Sequence, residues 1–272
     1  MTQELVTRIE GRAGRITLNR PGALNALNHD MVRAIERALH EWRDNGGVEL
    51  VLIDGEGERA FCAGGDVEAI YHAAKRGDFA DPRTFWQEEY RLNAMIDRYS
   101  KPYVAFMHGF VLGGGVGVSA HGSHRIVCDN TQLTMPECAI GLVPDVGGTY
   151  LLGRSSGYLG EFIGLTGFRM GAADAIFTGF ADCHVPYSAF EALKQQLVAT
   201  GNIAACLAHY ATEPPAGFLQ TYQAEIDAIF GLATLDEIMA ALAVSKAGWA
   251  EKARAGMARA APLSLLAAFR LI

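Results

Sequence analysis

The sequence lacks the features that mark several large classes of protein. It has no run of lysine and arginine: 23 basic residues face 30 acidic ones over 272 positions, a formal charge of −7. That balance excludes a basic nucleic-acid surface, so an anionic ligand must be met by a local cationic patch or by backbone N–H groups. The five cysteines (Cys62, Cys128, Cys138, Cys183, Cys206) include no C-x-x-C pair, and an odd, scattered set does not suit a disulfide framework. Reduced, mostly buried thiols are expected. Thiols of that kind read as those of a cytoplasmic chain, and the opening M-T-Q-E-L-V-T-R-I-E has no apolar h-region and no Arg- and Ser-rich transit character. The longest stretch free of Asp, Glu, Lys and Arg, Pro102 to His124, is long enough to raise the question of a membrane span. Its six glycines and three histidines favour a buried strand running into a glycine-rich turn and a helix, and no membrane partner is expected. Neither a sequence repeat nor a low-complexity segment is present.

Half of the residues are apolar, enough for a large core, which excludes a disordered chain. Glycine is abundant at 31 residues against 9 prolines, which points to tight turns and close backbone approaches. The first half alternates strand-like and helical text. Leu5–Ile9 and Arg15–Leu18 flank a turn, Asn28 caps a helix over His29–Asn45, and Leu50–Ile53 and Tyr103–Met107 are short apolar strands. Further strands are expected at Arg125–Cys128 and Leu133–Met135, and from Tyr150 the text is mostly helical. The pattern is α/β, with a strand-containing body over residues 1–190 and a helical region over 191–272. The last run, A-P-L-S-L-L-A-A-F-R-L-I, carries no helix stop signal, so this region reads as cut short at its C-terminus.

Four segments could carry chemistry. Ala60–Asp66, A-F-C-A-G-G-D, lies between a strand and a helix; it is either an ordinary turn or one that aims an N–H at an oxyanion. Gly113–Gly117, G-G-G-V-G, offers free N–H groups at a helix start. Its loose fit to G-x-G-x-x-A is a weak argument for a dinucleotide, because no parallel βαβ unit follows. Met135–Gly148 embeds Glu137 and Asp145, each after a proline, in apolar sequence. Such acids are either paired or helix-terminal, or they are used with raised pKa values. Glu89 sits on the apolar stripe Phe85, Leu92, Ile96, Tyr99 of a helix, where it either pairs internally with an arginine or faces a site, while Glu88 points away. His121-x-x-His124 lacks a third ligand, so no metal is expected. Ser119 misses G-x-S-x-G by one residue, and His108 reads as a satisfied polar group at a strand end.

Taken together and in this order, the pieces resemble the crotonase superfamily, the enoyl-CoA hydratase/isomerase fold, over roughly residues 5–185. Ile16–Asn28, with Ala23 and Leu24, resembles its first coenzyme-A-contacting segment, and A-F-C-A-G-G-D and H-G-F-V-L-G-G-G-V-G resemble its two oxyanion-hole segments. The resemblance implies a spiral of ββα units followed by helices. It implies main-chain N–H donors at Gly65 and Gly114, and substrate contacts at Ala63, Gly65, Asp66, Ala23 and Leu24. Hydratases of the superfamily carry two glutamates about twenty residues apart; the later one matches Glu137, but the earlier falls on Gly117, which has no side chain.

E-E-Y-x-L-N, M-P-E-x-A-I-G-L-x-P-D-V-G-G and L-T-G-F-R-M (Leu165–Met170) are instead similar to the 3-hydroxyisobutyryl-CoA hydrolase branch, whose members run further than Ile272. That branch implies hydrolysis of a short 3-hydroxyacyl-CoA thioester in valine breakdown. Glu137 would act as nucleophile or as base toward water, Asp145 would assist proton transfer or hold the 3-hydroxyl, and Glu89 would orient the acyl group or a water. Coenzyme A is part of the substrate, so no cofactor is implied, and trimers or hexamers are expected by analogy. The alternatives are a hydratase or isomerase using Glu137 alone, and a non-catalytic acyl-CoA binder.

Overall fold

The computed structural model describes residues 4–272. Strand β1 (Leu5–Glu10) pairs antiparallel with β2 (Ala13–Leu18) around the expected turn. From β2 onward the large sheet is parallel, in the order β1-β2-β3-β5-β7-β9, with β3 at Leu50–Gly55, β5 at Tyr103–Met107, β7 at His124–Val127 and β9 at Cys183–His184. A smaller parallel sheet holds β4 (Ala60–Cys62), β6 (Phe110–Leu112) and β8 (Gln132–Thr134) in that order. The chain therefore spirals, giving one strand to the large sheet, the next to the small sheet, and then a helical segment.

Helix α1 (His29–Arg43) begins where Asn28 accepts the Met31 N–H at 2.9 Å. Helix α2 (Val67–Lys75) and the long α3 (Ala80–Asp97) follow β4, and a single turn, α4 (Gly114–Gly117), follows β6. After β8 come a 3-10 turn at Glu137–Ile140, α5 (Gly148–Leu152), α6 (Leu159–Thr166) and α7 (Ala172–Phe177). Beyond β9 lie α8 (Phe190–Thr200), α9 (Ile203–Tyr210), α10 (Phe218–Phe230), α11 (Leu235–Val244), α12 (Ala250–Arg259) and α13 (Pro262–Leu271). Thr234 and Glu237 form a reciprocal capping box at the start of α11.

Strand alternation divides the core between the two faces of the large sheet. Val51 and Ile53 of β3, with Tyr103, Ala105 and Met107 of β5, join one cluster that reaches from Leu5 to Ala268. Leu50, Leu52, Val104 and Phe106 point the other way, onto Phe190, Leu193 and Leu197 of α8 and Ile203 of α9. As expected, the cysteines are unpaired, and four of the five are buried.

A buried ion cluster fastens α8 to the sheet. Arg15 Nη2 and Lys194 Nζ both donate to Asp54 Oδ2 at 2.9 Å. Burial raises the Asp54 pKa, but the Lys194 charge and hydrogen bond, the Thr17 hydroxyl and Arg15 outweigh it, and the net shift is downward. A depressed carboxyl contributes stability above its unfolded pKa and loses it as pH falls through the folded value. Asp54→Asn is therefore expected to cost about 3 kcal/mol at pH 7, because two cations lose their buried anion while Arg15 keeps Glu10 and Lys194 keeps Glu191. Denaturant melts should show the gap to wild type closing as the pH drops below 3.8, the ordinary Asp value.

Candidate active site

The small sheet builds the site. Strands β4, β6 and β8 are parallel neighbours, with Cys62 opposite Val111 and Leu112 opposite Thr134, so their carboxyl ends open at one edge. From β4 the chain turns through Ala63, Gly64 and Gly65 into α2. From β6 it turns at Gly113 into α4, and from β8 it passes Pro136 to Glu137. Gly113 has φ +45° and ψ −112°, a backbone conformation open only to glycine. These turns bring the N–H groups of Gly65 and Gly114 together: a Cβ added to Gly114 would stand 3.1 Å from the Gly65 nitrogen. Among the described residues neither N–H donates to a main-chain carbonyl. Gly114 is the first residue of its helix, where an N–H has no partner of its own.

Three carboxyl groups close on this edge and line one cavity of about 230 Å³, together with Gly65, Gly114 and an apolar wall that includes Phe85, Trp86 and Leu142. Glu89 is 2% exposed and Glu137 4%. A Cβ on Gly114 would meet Glu89 Oε1 at 2.6 Å, and one on Gly113 would meet Glu137 Oε1 at 2.6 Å. Glu89 Oε1 and Glu137 Oε2 have no hydrogen-bond partner among the described residues. Burial pushes the Glu89 pKa up to about 8, with the Asp145 charge adding to it. Burial likewise lifts Glu137 to about 8 against a hydrogen bond from its own backbone N–H, and the Asp145 and Glu89 charges add to the rise. Burial raises Asp145 as well, and the 2.7 Å hydrogen bond that its Oδ2 accepts from the Tyr90 hydroxyl offsets only part of that rise. Asp145 is thus the acid best placed to carry charge, while the two glutamates are poised to hold protons near neutrality.

Glu89, Glu137, Asp145, Ala63, Gly65 and Gly114 therefore share one cavity. Among the described residues Glu89 meets no arginine; its neighbour Glu88 instead pairs with His29 and Arg33. The Asp66 side chain is occupied, accepting the Ala69 N–H that caps α2 and a 3.0 Å bond from Arg20. Ala23 and Leu24 lie outside the cavity lining, and Leu24 adjoins it through its carbonyl, which accepts the Ala63 N–H at 2.9 Å.

Asp145 is not a helix cap, because α5 starts three residues later, at Gly148. It is followed by Val146 at φ +46°, a costly backbone for a β-branched residue. His121 Nε2 donates to the Val146 carbonyl at 2.7 Å and secures that turn. His121 and Tyr90 are the residues that the pattern of apolar positions missed. Tyr90 projects off the stripe of α3 that carries Glu89, and only the position of Asp145 in space reveals its role.

A ββα spiral that sets two unpartnered main-chain N–H groups beside buried acids defines an acyl-CoA enzyme of the crotonase type. Residues 13–272 match the enoyl-CoA hydratase/isomerase family model, and the chain belongs to that family. Within it, the chain is 41% identical over 273 residues to the "3-hydroxyisobutyryl-CoA hydrolase, mitochondrial" of Danio rerio, covering 96% of this chain and 71% of that one. Among solved structures it is similar to a carnitinyl-CoA dehydratase from Mycobacterium thermoresistibile, with TM-score 0.96, 46% identity, and coverage of 99% of this chain and 78% of that one. An enoyl-CoA hydratase from Rhodobacter sphaeroides gives TM-score 0.93 and 47% identity, covering 98% and 78%. The cytoplasmic expectation is overturned by the Danio rerio relative, which is named as mitochondrial. Free thiols do not choose among reducing compartments.

Proposed function

We propose that this protein hydrolyses 3-hydroxyisobutyryl-CoA to 3-hydroxyisobutyrate and coenzyme A, a step of valine breakdown. The observation that carries the reading is the convergence of Glu89, Glu137 and Asp145 on the Gly65 and Gly114 N–H groups, with no side chain at Gly117. The cavity is smaller than the ~300–1,000 Å³ of ordinary ligand pockets, which suits a short acyl group. The thioester oxygen accepts hydrogen bonds from both N–H groups, which stabilise the negative charge that grows on it; one such donor is worth about 3 kcal/mol. Ionised Glu137 acts on the carbonyl carbon by one of two routes. It attacks directly, giving an anhydride that water then cleaves, or it takes a proton from the water that attacks. Either way the C–S bond breaks, the thiolate takes a proton, and one water is consumed. Protonated Glu89 is a proton source beside the acyl group for the departing thiolate, and Asp145, held by Tyr90, is placed to accept a hydrogen bond from the substrate's 3-hydroxyl.

The experiment is a pair of assays on one preparation. Free thiol should appear with 3-hydroxyisobutyryl-CoA, and the enoyl absorbance of crotonyl-CoA should persist. Loss of that absorbance without thiol release would replace hydrolysis by hydration, and tight binding of both compounds without turnover would leave a binding protein.

A further inference from the structure

Behind the cavity, α3 and α4 pack one turn against one turn. Glu89 and Asn93 are four residues apart on one face of α3, and Gly114 and Gly117 are three apart on α4. A Cβ on Gly114 would stand 2.6 Å from Glu89 Oε1, and one on Gly117 would stand 2.9 Å from Asn93 Nδ2 and 2.8 Å from Val146 Cβ. Glu89 thus lies over the first glycine and Asn93 over the second. Asn93 is only 4% exposed, and both ends of its carboxamide lack a hydrogen-bond partner among the described residues, as does Glu89 Oε1.

A buried amide with neither donor nor acceptor satisfied is rare, because each lost bond costs free energy. Three such atoms on residues one helical turn apart, beside a cluster of buried acids, are the usual surroundings of an internal water. The carboxamide does not line the cavity, so it does not touch the substrate.

We propose that Asn93 is a positioning residue: its carboxamide, seated against Gly117, and Glu89 Oε1 together hold one buried water, and that water fixes the Glu89 carboxyl toward the acyl group. The amide supplies a donor and an acceptor, so the water can both receive from Nδ2 and give to Oδ1 or to the glutamate. Gly117 is part of the device, since any side chain there would displace Asn93 or Val146. The catalytic half of this proposal rests on the hydrolase reading; the water site does not.

The test compares wild type with Asn93→Leu, of similar volume and without polar atoms, and with Asn93→Ala in case the leucine variant misfolds. If Asn93 positions Glu89, kcat for thiol release falls at least ~10-fold, KM stays within about threefold, and the melting temperature changes little, since leucine fills the same volume and the amide and its water leave together. A purely structural role would lower the melting temperature and leave kcat of the folded fraction alone, which overturns the proposal, as does a kcat within twofold of wild type. Crystal structures of wild type and variant give a readout that needs no turnover. Density for a water bridging Asn93 and Glu89 is expected in wild type and should vanish in Asn93→Leu; its absence from wild type overturns the proposal. An inactive wild type with that water in place would instead sink the hydrolase reading.

Discussion

Glu137→Gln is expected to lower kcat for thiol release at least ~100-fold, the lower scale for a group that attacks or removes a proton. Glutamine keeps the shape of the side chain and cannot ionise, so the loss isolates the carboxylate. The pH dependence of the wild type belongs to the same prediction. Glu137 must be ionised and Glu89 protonated, yet burial holds both near pH 8. The active arrangement becomes more populated as pH rises toward about 8 and declines above it, giving a bell whose limbs belong to the coupled pair. Stability moves in the opposite sense. A carboxyl whose folded pKa is raised from 4.5 to about 8 stabilises the fold below 4.5 and loses that contribution as pH climbs through 8. Glutamine has nothing to lose, so Glu137→Gln should melt with wild type at pH 4 and several degrees higher at pH 9, each kcal/mol being worth about 2–4 °C. Rates and melting temperatures at five or six pH values check both halves. An unchanged kcat would remove Glu137 from the chemistry.

Much of this was legible in the sequence because it was written in short-range patterns. Short continuous apolar runs marked β3 and β5, and Asn28 announced the start of α1. Glu89 on an apolar stripe, and two acids after prolines in apolar text, signalled buried carboxyl groups, and all three line the cavity. What stayed hidden depends on the order of strands in the small sheet. Nothing local says that β4 and β6 are neighbours, yet that pairing is what places Gly65 beside Gly114. Tyr90 on Asp145 and His121 on the Val146 carbonyl link residues 55 and 25 positions apart, beyond the reach of periodicity. The helix expected after Gly113 is a single turn, because four residues are enough to turn an N–H toward the cavity before the chain enters β7. The compartment was misread for a different reason: unpaired cysteines report redox conditions rather than an address.

The three consecutive glycines at 113–115 offer the sharpest separation of chemistry from folding. Gly113 sits at a positive φ, so an alanine there is strained whatever the space around it. At Gly115 a Cβ would press into the Cys62 carbonyl of β4, so the helix and strand would have to part. Gly114 has neither problem: it begins α4 with ordinary helical backbone, where alanine is a favourable residue. Its Cβ would instead point at the Gly65 nitrogen and Glu89 Oε1, into the space the thioester oxygen must occupy to meet both N–H groups. Gly114→Ala should therefore melt within a few degrees of wild type but lose at least ~100-fold in kcat/KM, the scale of one lost oxyanion donor. Gly113→Ala and Gly115→Ala should lose thermal stability along with activity. Melting temperature and kcat/KM measured for the three variants side by side decide the matter. Near-normal turnover by Gly114→Ala would mean that the substrate carbonyl never sits between those two amides.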